Sequence, residues 1–152
     1  MSSGATPRRD PRGIGSITFN MIVFMNLLTR PFEASVGKRH GITLSEWRCL
    51  IWLAAMPGAS GQDTARGTGM DRMSVSRNLR ALEAKGAVAR ETDPEDRKRH
   101  RWSLTQAGWR IHDDVLPGAL ERDTALTGDL GAKRTKALMA ALIRAQARLA
   151  DD

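Results

Sequence analysis

Residues 70–108 read MDRMSVSRNLRALEAKGAVARETDPEDRKRHRWSLTQAG and decide the fold. Asp71 stands before an amphipathic run over residues 72–85, which predicts an N-cap and a helix. Gly86 follows as the stop signal of that helix. A helical wheel puts three apolar residues on the face directed at the core: Val75, Leu79 and Leu82.

The opposite face of this helix is polar and cationic. It carries Met73, Arg77 and Arg80 in one row, flanked by Ser74 and Ser76. Arginine can bond guanine O6 and N7 in the major groove, and serine hydroxyls reach bases or phosphates. Taken alone, such a face is more typical of a helix that only faces water.

A basic hairpin is predicted directly after the helix. Residues 88–92 and 99–104 flank the turn-forming run Asp93-Pro94-Glu95-Asp96, so they predict two strands. The tip and the returning strand carry four cations, which are Arg97, Lys98, Arg99 and Arg101. We expect Asp93 or Asp96 to hold the Arg97 guanidinium extended, where it can enter a narrow minor groove. The alternative is a local surface ion pair of small value.

Upstream signals predict two shorter helices. Thr43-Leu44-Ser45-Glu46 is a capping box, and Ser60 three residues before Asp63 repeats the signature. The second of these helices runs towards Gly67, and two helices around a glycine turn indicate a helix-turn-helix. We therefore expect a mainly α fold with a small β-hairpin, the wing of a winged helix-turn-helix over residues 43–104.

The flanking regions predict long amphipathic helices. Apolar residues recur at helical spacing in two places, first at Ile17, Met21, Phe24, Met25 and Leu28, and later at Leu138, Leu142, Ala145 and Leu149. Pro31 is expected to kink or interrupt the first helix, and Pro117 to bend a helix that Thr105 caps. We expect a flexible basic arm over residues 1–12 and one domain over residues 13–152.

Composition limits the function classes. The chain of 152 residues has 24 Lys and Arg against 17 Asp and Glu, so its net charge of +7 suits nucleic acid. No apolar run is long enough to span a membrane and no signal-peptide layout is present, so we expect a cytoplasmic protein without a membrane partner. One cysteine and three scattered histidines lack the spacing of a metal site, so we expect no zinc and no cofactor.

As a joint pattern, residues 70–108 resemble the MarR family of bacterial and archaeal transcription regulators. DRMSVSRNLRALEAKG resembles the recognition helix of that family, and DPEDRK followed by SLTQAG resembles the wing and the start of the next helix. GITLSEWRCLIWLA, residues 41–54, is similar to the second helix of the family. The resemblance implies a homodimer whose terminal helices, residues 13–40 and 105–150, interlock and leave two winged lobes facing successive major grooves.

The resemblance also implies which residues meet DNA. It puts Ser74 and Arg77 in the major groove, with Ser76 and Asn78 nearby, and Arg97 at the wing tip. With their cationic and exposed neighbours, the predicted DNA-contacting residues are Arg72, Met73, Ser74, Ser76, Arg77, Asn78, Arg80, Arg97, Lys98 and Arg99. Where relatives have a leucine this chain has Thr64, and it has more glycines at residues 67–69, so we predict a short or loosened helix there.

Many MarR-family proteins bind aromatic or phenolic acids between the dimerisation helices and the DNA-binding lobe, and then release DNA. Here such an effector site would be lined by Met21, Met25, Trp47, Arg48 and Trp52, with Arg48 pairing a carboxylate. The alternative is that these residues are ordinary core and ion-pair residues. Other family members sense oxidants through cysteine, but the apolar neighbours of Cys49 favour a buried small hydrophobe.

The sequence has no nucleophile elbow, phosphate loop, dinucleotide glycine pattern or paired zinc ligands, so we expect no enzyme. The predicted function is a sequence-specific transcription regulator, expected to be a repressor, that binds a pseudo-palindromic operator in double-stranded DNA. The alternative is a sequence-independent architectural DNA-binding protein, whose affinity would depend on salt rather than on sequence.

Overall fold

The structure, a computed structural model, describes residues 16–150, so the predicted arm over residues 1–12 lies outside the described residues. Helices dominate and surround one three-stranded antiparallel sheet, which confirms the predicted fold class. The chain divides into two compact units that meet at Gly41 and Ile42.

The first unit is one long helix that changes its winding near its end. Helix α1 spans Ile17–Phe32 and includes Pro31 in its last turn. A π-helical segment, Glu33–Gly37, and the short α2, Lys38–His40, continue it. Proline removes one backbone donor, and the change to a wider π turn follows directly after it. Gly41 then ends the run with a left-handed φ of 62°.

The second unit begins with helices α3, Leu44–Ala55, and α4, Gly61–Thr68. Both open with the predicted capping boxes. The Thr43 hydroxyl accepts the Glu46 amide at 3.1 Å, and the Glu46 carboxylate accepts the Thr43 amide at 2.8 Å. Ser60 and Asp63 make the same reciprocal pair at the start of α4. These caps satisfy amides that would otherwise lack partners at the helix ends.

Helix α4 is short, as predicted, but it is not loosened. It continues through Gly67 and ends at Gly69, which has a left-handed φ of 68°. A Cβ at Gly67 would lie 2.3 Å from two ring atoms of Trp52 on α3, so this glycine makes room for the indole. The glycine that weakens the helix by propensity is therefore required by packing, and the prediction of a short or loosened helix is met by a short one.

Helix α5 spans Arg72–Ala84 and is followed by strands β2, Val88–Thr92, and β3, His100–Leu104. The predicted hairpin is thus present, with Arg90 opposite Trp102 in its register. A third strand, β1, Ala59–Ser60, pairs with the other edge of β3, giving the order β1-β3-β2. Strand β1 was not predicted, because two residues are too few to show the alternation of polar and apolar side chains that marks a strand.

The core of this unit lies where α3, α5 and the sheet meet. The apolar side chains there are almost completely buried: Cys49, Leu50, Leu53, Val75, Leu79, Leu82, Val88 and Trp102. Among them are the three residues that the helical wheel directed inwards from α5. Packing of this stripe fixes which face of α5 is turned outwards.

Helices α6, Gln106–Thr127, and α7, Gly131–Ala150, complete the chain. Helix α6 starts at the Thr105 cap and continues through Pro117. Its first turn approaches the α5–β2 connection so closely that a Cβ on Gly108 would lie 2.0 Å from the Ala87 carbonyl oxygen. None of the helices in residues 16–150 is long and apolar enough to cross a membrane.

Candidate DNA-binding surface

The outward face of α5 begins at a charged cap. The Asp71 carboxylate accepts the backbone N–H of Ser74 at 2.8 Å. Hydrogen bonds from Ser74 are the main reason that the pKa of Asp71 is lowered, and the nearby Arg77 charge lowers it further. An ionised Asp71 also interacts favourably with the N-terminal end of the helix dipole. The cap therefore fixes the turn from which the predicted DNA contacts project.

The predicted contact residues of α5 are all accessible, though not equally. Arg72, Met73, Arg77 and Arg80 are exposed, whereas Ser74, Ser76 and Asn78 are half-buried. The Arg77 Nη2 donates to the Ser74 hydroxyl at 3.2 Å. This hydrogen bond draws the guanidinium towards the first turn of the helix. Arg77 and Ser74, the two residues that the resemblance assigned to the groove, thus form one polar unit.

A basic groove of about 330 Å³ lies beside this face. It is bounded by the start of α4, by α5 and by the two longer strands, and its lining residues include Ser60, Gln62, Arg72, Ser76, Arg80, Arg90, Arg99 and His100. Four guanidinium groups therefore border one depression. Arg90 is held in place by an ion pair from its Nε to the Glu83 carboxylate at 3.1 Å. An opening of this charge and size suits the phosphates of a nucleic-acid backbone.

Four of these groove residues were not predicted as site residues: Gln62, Arg90, His100 and Ser60, which was predicted only as a helix cap. Arg90 could have been predicted as a contact residue, because it is a cation on the strand that follows helix α5. Gln62 and His100 carry no such signal, since only the tertiary fold brings α4 and β3 to the groove. His100 Nδ1 is buried and has no hydrogen-bond partner among the described residues.

The loop of the hairpin is held by an ion pair different from the expected one. The Asp93 carboxylate accepts Arg101 Nε at 3.0 Å and Arg101 Nη2 at 3.2 Å. Hydrogen bonds, above all from Arg101, lower the pKa of Asp93, and Asp93 in turn raises the pKa of Arg101. The expectation that Asp93 holds Arg97 is wrong, because the strand register brings Arg101 back to Asp93 across the hairpin.

The tip itself is organised by backbone hydrogen bonds. The Asp96 carboxylate accepts the backbone N–H of Lys98 at 2.9 Å, and the Asp96 carbonyl accepts that of Arg99 at 2.9 Å. Arg97, Lys98 and Arg99 are all exposed at this turn. The Asp96 contact thus shapes the backbone of the turn and leaves three cations displayed together.

The far end of α5 is tied to α3 by a largely buried ion pair. Lys85 Nζ donates to both oxygens of the Glu46 carboxylate, at 2.8 and 2.7 Å, and the Glu46 side chain is only 5% exposed. One of these oxygens also accepts the Thr43 amide that begins α3. A single carboxylate therefore caps α3 and anchors the C-terminal end of α5.

The predicted effector residues fall in both units. Met21 and Met25 are exposed on α1, while Trp47 is buried and Arg48 and Trp52 are half-buried on α3. The Trp47 ring lies against His112 of α6 with centroids 6.0 Å apart, and Trp109 meets the same His112 at 5.3 Å. The Trp52 ring packs against Gly67 of α4. The second unit thus has an aromatic cluster between α3 and α6.

Cys49 is completely buried, and burial is the main cause that raises the pKa of its thiol to about 12, with the Glu46 charge adding to the effect. A protonated, inaccessible thiol is a poor nucleophile. This environment supports the interpretation of Cys49 as a core residue.

The geometry defines a class of protein: a winged helix-turn-helix with a cationic, capped recognition helix beside a basic wing. The MarR family profile matches residues 40–99, which include this whole region up to the wing tip. A proposed transcriptional regulatory protein for the hcr operon of Thauera aromatica is 32% identical over 79 residues. That match covers 52% of this chain and 48% of the relative, so the chain spans about half the length of the curated relative it matches.

Solved structures match over nearly the whole chain. The transcriptional regulator SlyA superposes with a TM-score of 0.78 at 18% identity, covering 90% of this chain and 96% of SlyA. NadR in complex with 4-hydroxyphenylacetate gives a TM-score of 0.74 at 26% identity, covering 95% of this chain and 98% of NadR. The profile match over residues 40–99 and the similarity of fold to these solved structures agree with the predicted resemblance to the MarR family. The relative from Thauera aromatica and SlyA are both described as transcriptional regulators.

Proposed function

We propose that the protein is a cytoplasmic, sequence-specific transcription repressor that binds a pseudo-palindromic operator as a homodimer. The observation that carries the proposal is the outward face of α5, where exposed cations stand on a capped helix whose other face is locked into the core. A helix held in this way can enter the major groove as a rigid element. In this assignment Arg77 pairs with guanine, with its guanidinium already drawn towards Ser74.

The groove and the wing supply contacts to the DNA backbone. The four arginines of the basic groove, Arg72, Arg80, Arg90 and Arg99, face phosphates on one side of the recognition helix. Arg97 and Lys98 at the exposed wing tip meet the neighbouring minor groove or its phosphates. Arg101 is assigned to the hairpin loop, which it holds through Asp93.

Dimer formation is supported by apolar side chains exposed on the terminal helices. On α1 these include Ile17, Ile22 and Leu27, with exposed fractions of 76%, 54% and 58%. On α6 and α7 they include Leu120, Leu138, Met139, Ile143 and Leu149. Monomeric proteins rarely expose so many large apolar groups along whole helices, and a second copy would cover them. Two recognition helices related by a two-fold axis would then read half-sites about one helical turn apart.

The first experiment is a binding titration at near-physiological salt. Purified protein is titrated against a fragment from its own upstream region and against a scrambled duplex of equal length. A preference of about a thousandfold supports a specific regulator. Equal affinity for that fragment and the scrambled duplex calls for selection from random duplexes, in which the absence of any enriched palindrome would contradict the proposal and favour an architectural DNA-binding protein.

The proposed effector is a small aromatic or phenolic carboxylate. NadR was solved with 4-hydroxyphenylacetate, and this chain has a similar fold at 26% identity. Arg48, half-buried on α3 beside buried Trp47, is the residue proposed to pair with the carboxylate, while Trp52 is proposed to contact the apolar part.

The effector proposal is tested with 4-hydroxyphenylacetate itself. The compound should raise the melting temperature of the wild-type dimer and weaken its binding to the selected operator. The Arg48→Ala variant should lose both effects, whereas Arg134→Ala, an exposed arginine on α7, should retain them. Operator release that is unchanged in Arg48→Ala would contradict the role given to Arg48.

A further inference from the structure

Met73 is an unusual residue for a surface that otherwise attracts phosphate. Its side chain is 72% exposed, more than any other large apolar residue in the winged region from α3 to the end of β3. It lies in the first turn of α5, between Arg72 and Ser74, and one turn before Arg77. Exposure of an apolar side chain here contributes nothing to core packing or to phosphate binding.

The major groove contains one apolar feature that such a side chain can recognise, the 5-methyl group of thymine. Methionine suits this contact because its unbranched, polarisable thioether adapts to a small apolar target. A charged residue at the same position would instead bind phosphate or a base edge. The combination of an exposed methionine with a nearby arginine therefore indicates a mixed readout of one methyl group and one guanine.

We propose that Met73 is a specificity-determining residue that packs on a thymine methyl group in each half-site, within two base pairs of the guanine read by Arg77. This inference rests on the proposed function, since it assumes that α5 enters the major groove. Residues four apart on a helix are separated by about 6 Å along its axis. Because base pairs are about 3.4 Å apart, the thymine should lie one or two base pairs from the guanine.

The test removes the methyl group from DNA without changing base pairing. An operator selected from random duplexes is synthesised with each thymine replaced singly by uracil, symmetrically in both half-sites. Wild-type protein should lose affinity at one thymine position by about fourfold per half-site, the effect of one lost methyl contact. The other thymine positions should change little.

Protein variants identify the residue that makes the contact. Met73→Ala should bind the thymine and uracil operators equally, and Met73→Leu should retain the discrimination. Met73 is exposed, so both variants should keep the wild-type melting temperature, and circular dichroism checks this. Arg77→Ala should lose guanine discrimination while still distinguishing thymine from uracil.

The possible failures are distinguishable. Specific operator binding with no uracil penalty, or with the same penalty in Met73→Ala, would overturn the role of Met73 and leave the proposed function standing. If random selection yields no preferred sequence, the proposed function fails and the inference fails with it.

Discussion

Substitution of Gly108 by alanine tests the joint between the recognition helix, the wing and α6. A Cβ at this position would lie 2.0 Å from the Ala87 carbonyl oxygen and 3.1 Å from its carbonyl carbon. The same oxygen accepts the Thr105 amide at 3.1 Å, and the Thr105 hydroxyl donates to the Gly86 carbonyl at 2.6 Å. The backbone cannot move away from the new methyl group without weakening these hydrogen bonds.

The expected cost follows from these contacts. Overpacking of a close contact costs about 1–3 kcal/mol, and each weakened hydrogen bond adds about 1 kcal/mol. The helix propensity of alanine offsets up to about 1 kcal/mol. We therefore expect Gly108→Ala to lower the free energy of unfolding by about 2–4 kcal/mol.

Gly118 provides a matched control in the same helix. A Cβ there would have no described atom within 4 Å, so Gly118→Ala should raise stability by about 0.5–1 kcal/mol. Urea unfolding followed by circular dichroism, at one fixed protein concentration, measures both variants. A Gly108→Ala protein within about 0.5 kcal/mol of wild type would refute the packing argument.

Three further perturbations test other parts of the structure. Gly67→Ala should cost about 1–3 kcal/mol in the wild-type chain but almost nothing in a Trp52→Leu background, since the clash is with the indole; equal costs in urea unfolding would contradict this. A double-mutant cycle of Glu46→Gln and Lys85→Met should give a coupling of about 1–2 kcal/mol, and strict additivity would show that the ion pair does not brace α5. The pKa of Cys49 is raised to about 12 in the folded protein from an ordinary 9.0, so the folded state keeps a proton that the unfolded state releases. The free energy of unfolding therefore has its full value below pH 9 and falls as the pH rises from 9 towards 12. Between pH 8 and pH 10 wild type should therefore lose about 1.4 kcal/mol more stability than Cys49→Ala. If the two proteins lost equal amounts of stability over this range, burial would not hold the proton on Cys49.

Local signals predicted most of the winged region. The caps at Thr43, Ser60 and Asp71 each satisfy amides within three residues, so their effect can be read from a short stretch of sequence. The apolar stripe of α5 likewise fixes its buried face, because helical periodicity alone relates its members. The outward face of α5 follows from the same periodicity, and this is why the candidate contacts could be named in advance.

The features that sequence reasoning missed or misassigned depend on residues distant in the chain. Gly67 looks like a defect of α4 until Trp52 of α3 is placed on it. Other arginines are closer to Asp93 in the sequence than Arg101 is, and only the register of the hairpin determines which of them pairs with Asp93. Arg90 reaches the basic groove only when the sheet packs beside α5. In each of these cases tertiary packing selects one partner among several that the sequence allows.

The effect of Arg77→Ala on base discrimination tests most directly whether this face of α5 reads the DNA sequence. Wild type, Arg77→Ala and the charge-matched Arg134→Ala are titrated against the selected operator, against operators with each guanine pair replaced, and against random duplex. We expect Arg77→Ala to lose about 1–3 kcal/mol of discrimination at one position in each half-site, while Arg134→Ala behaves as wild type. Equal losses on operator and random duplex would show that Arg77 only binds phosphate and would contradict sequence reading by this face of α5.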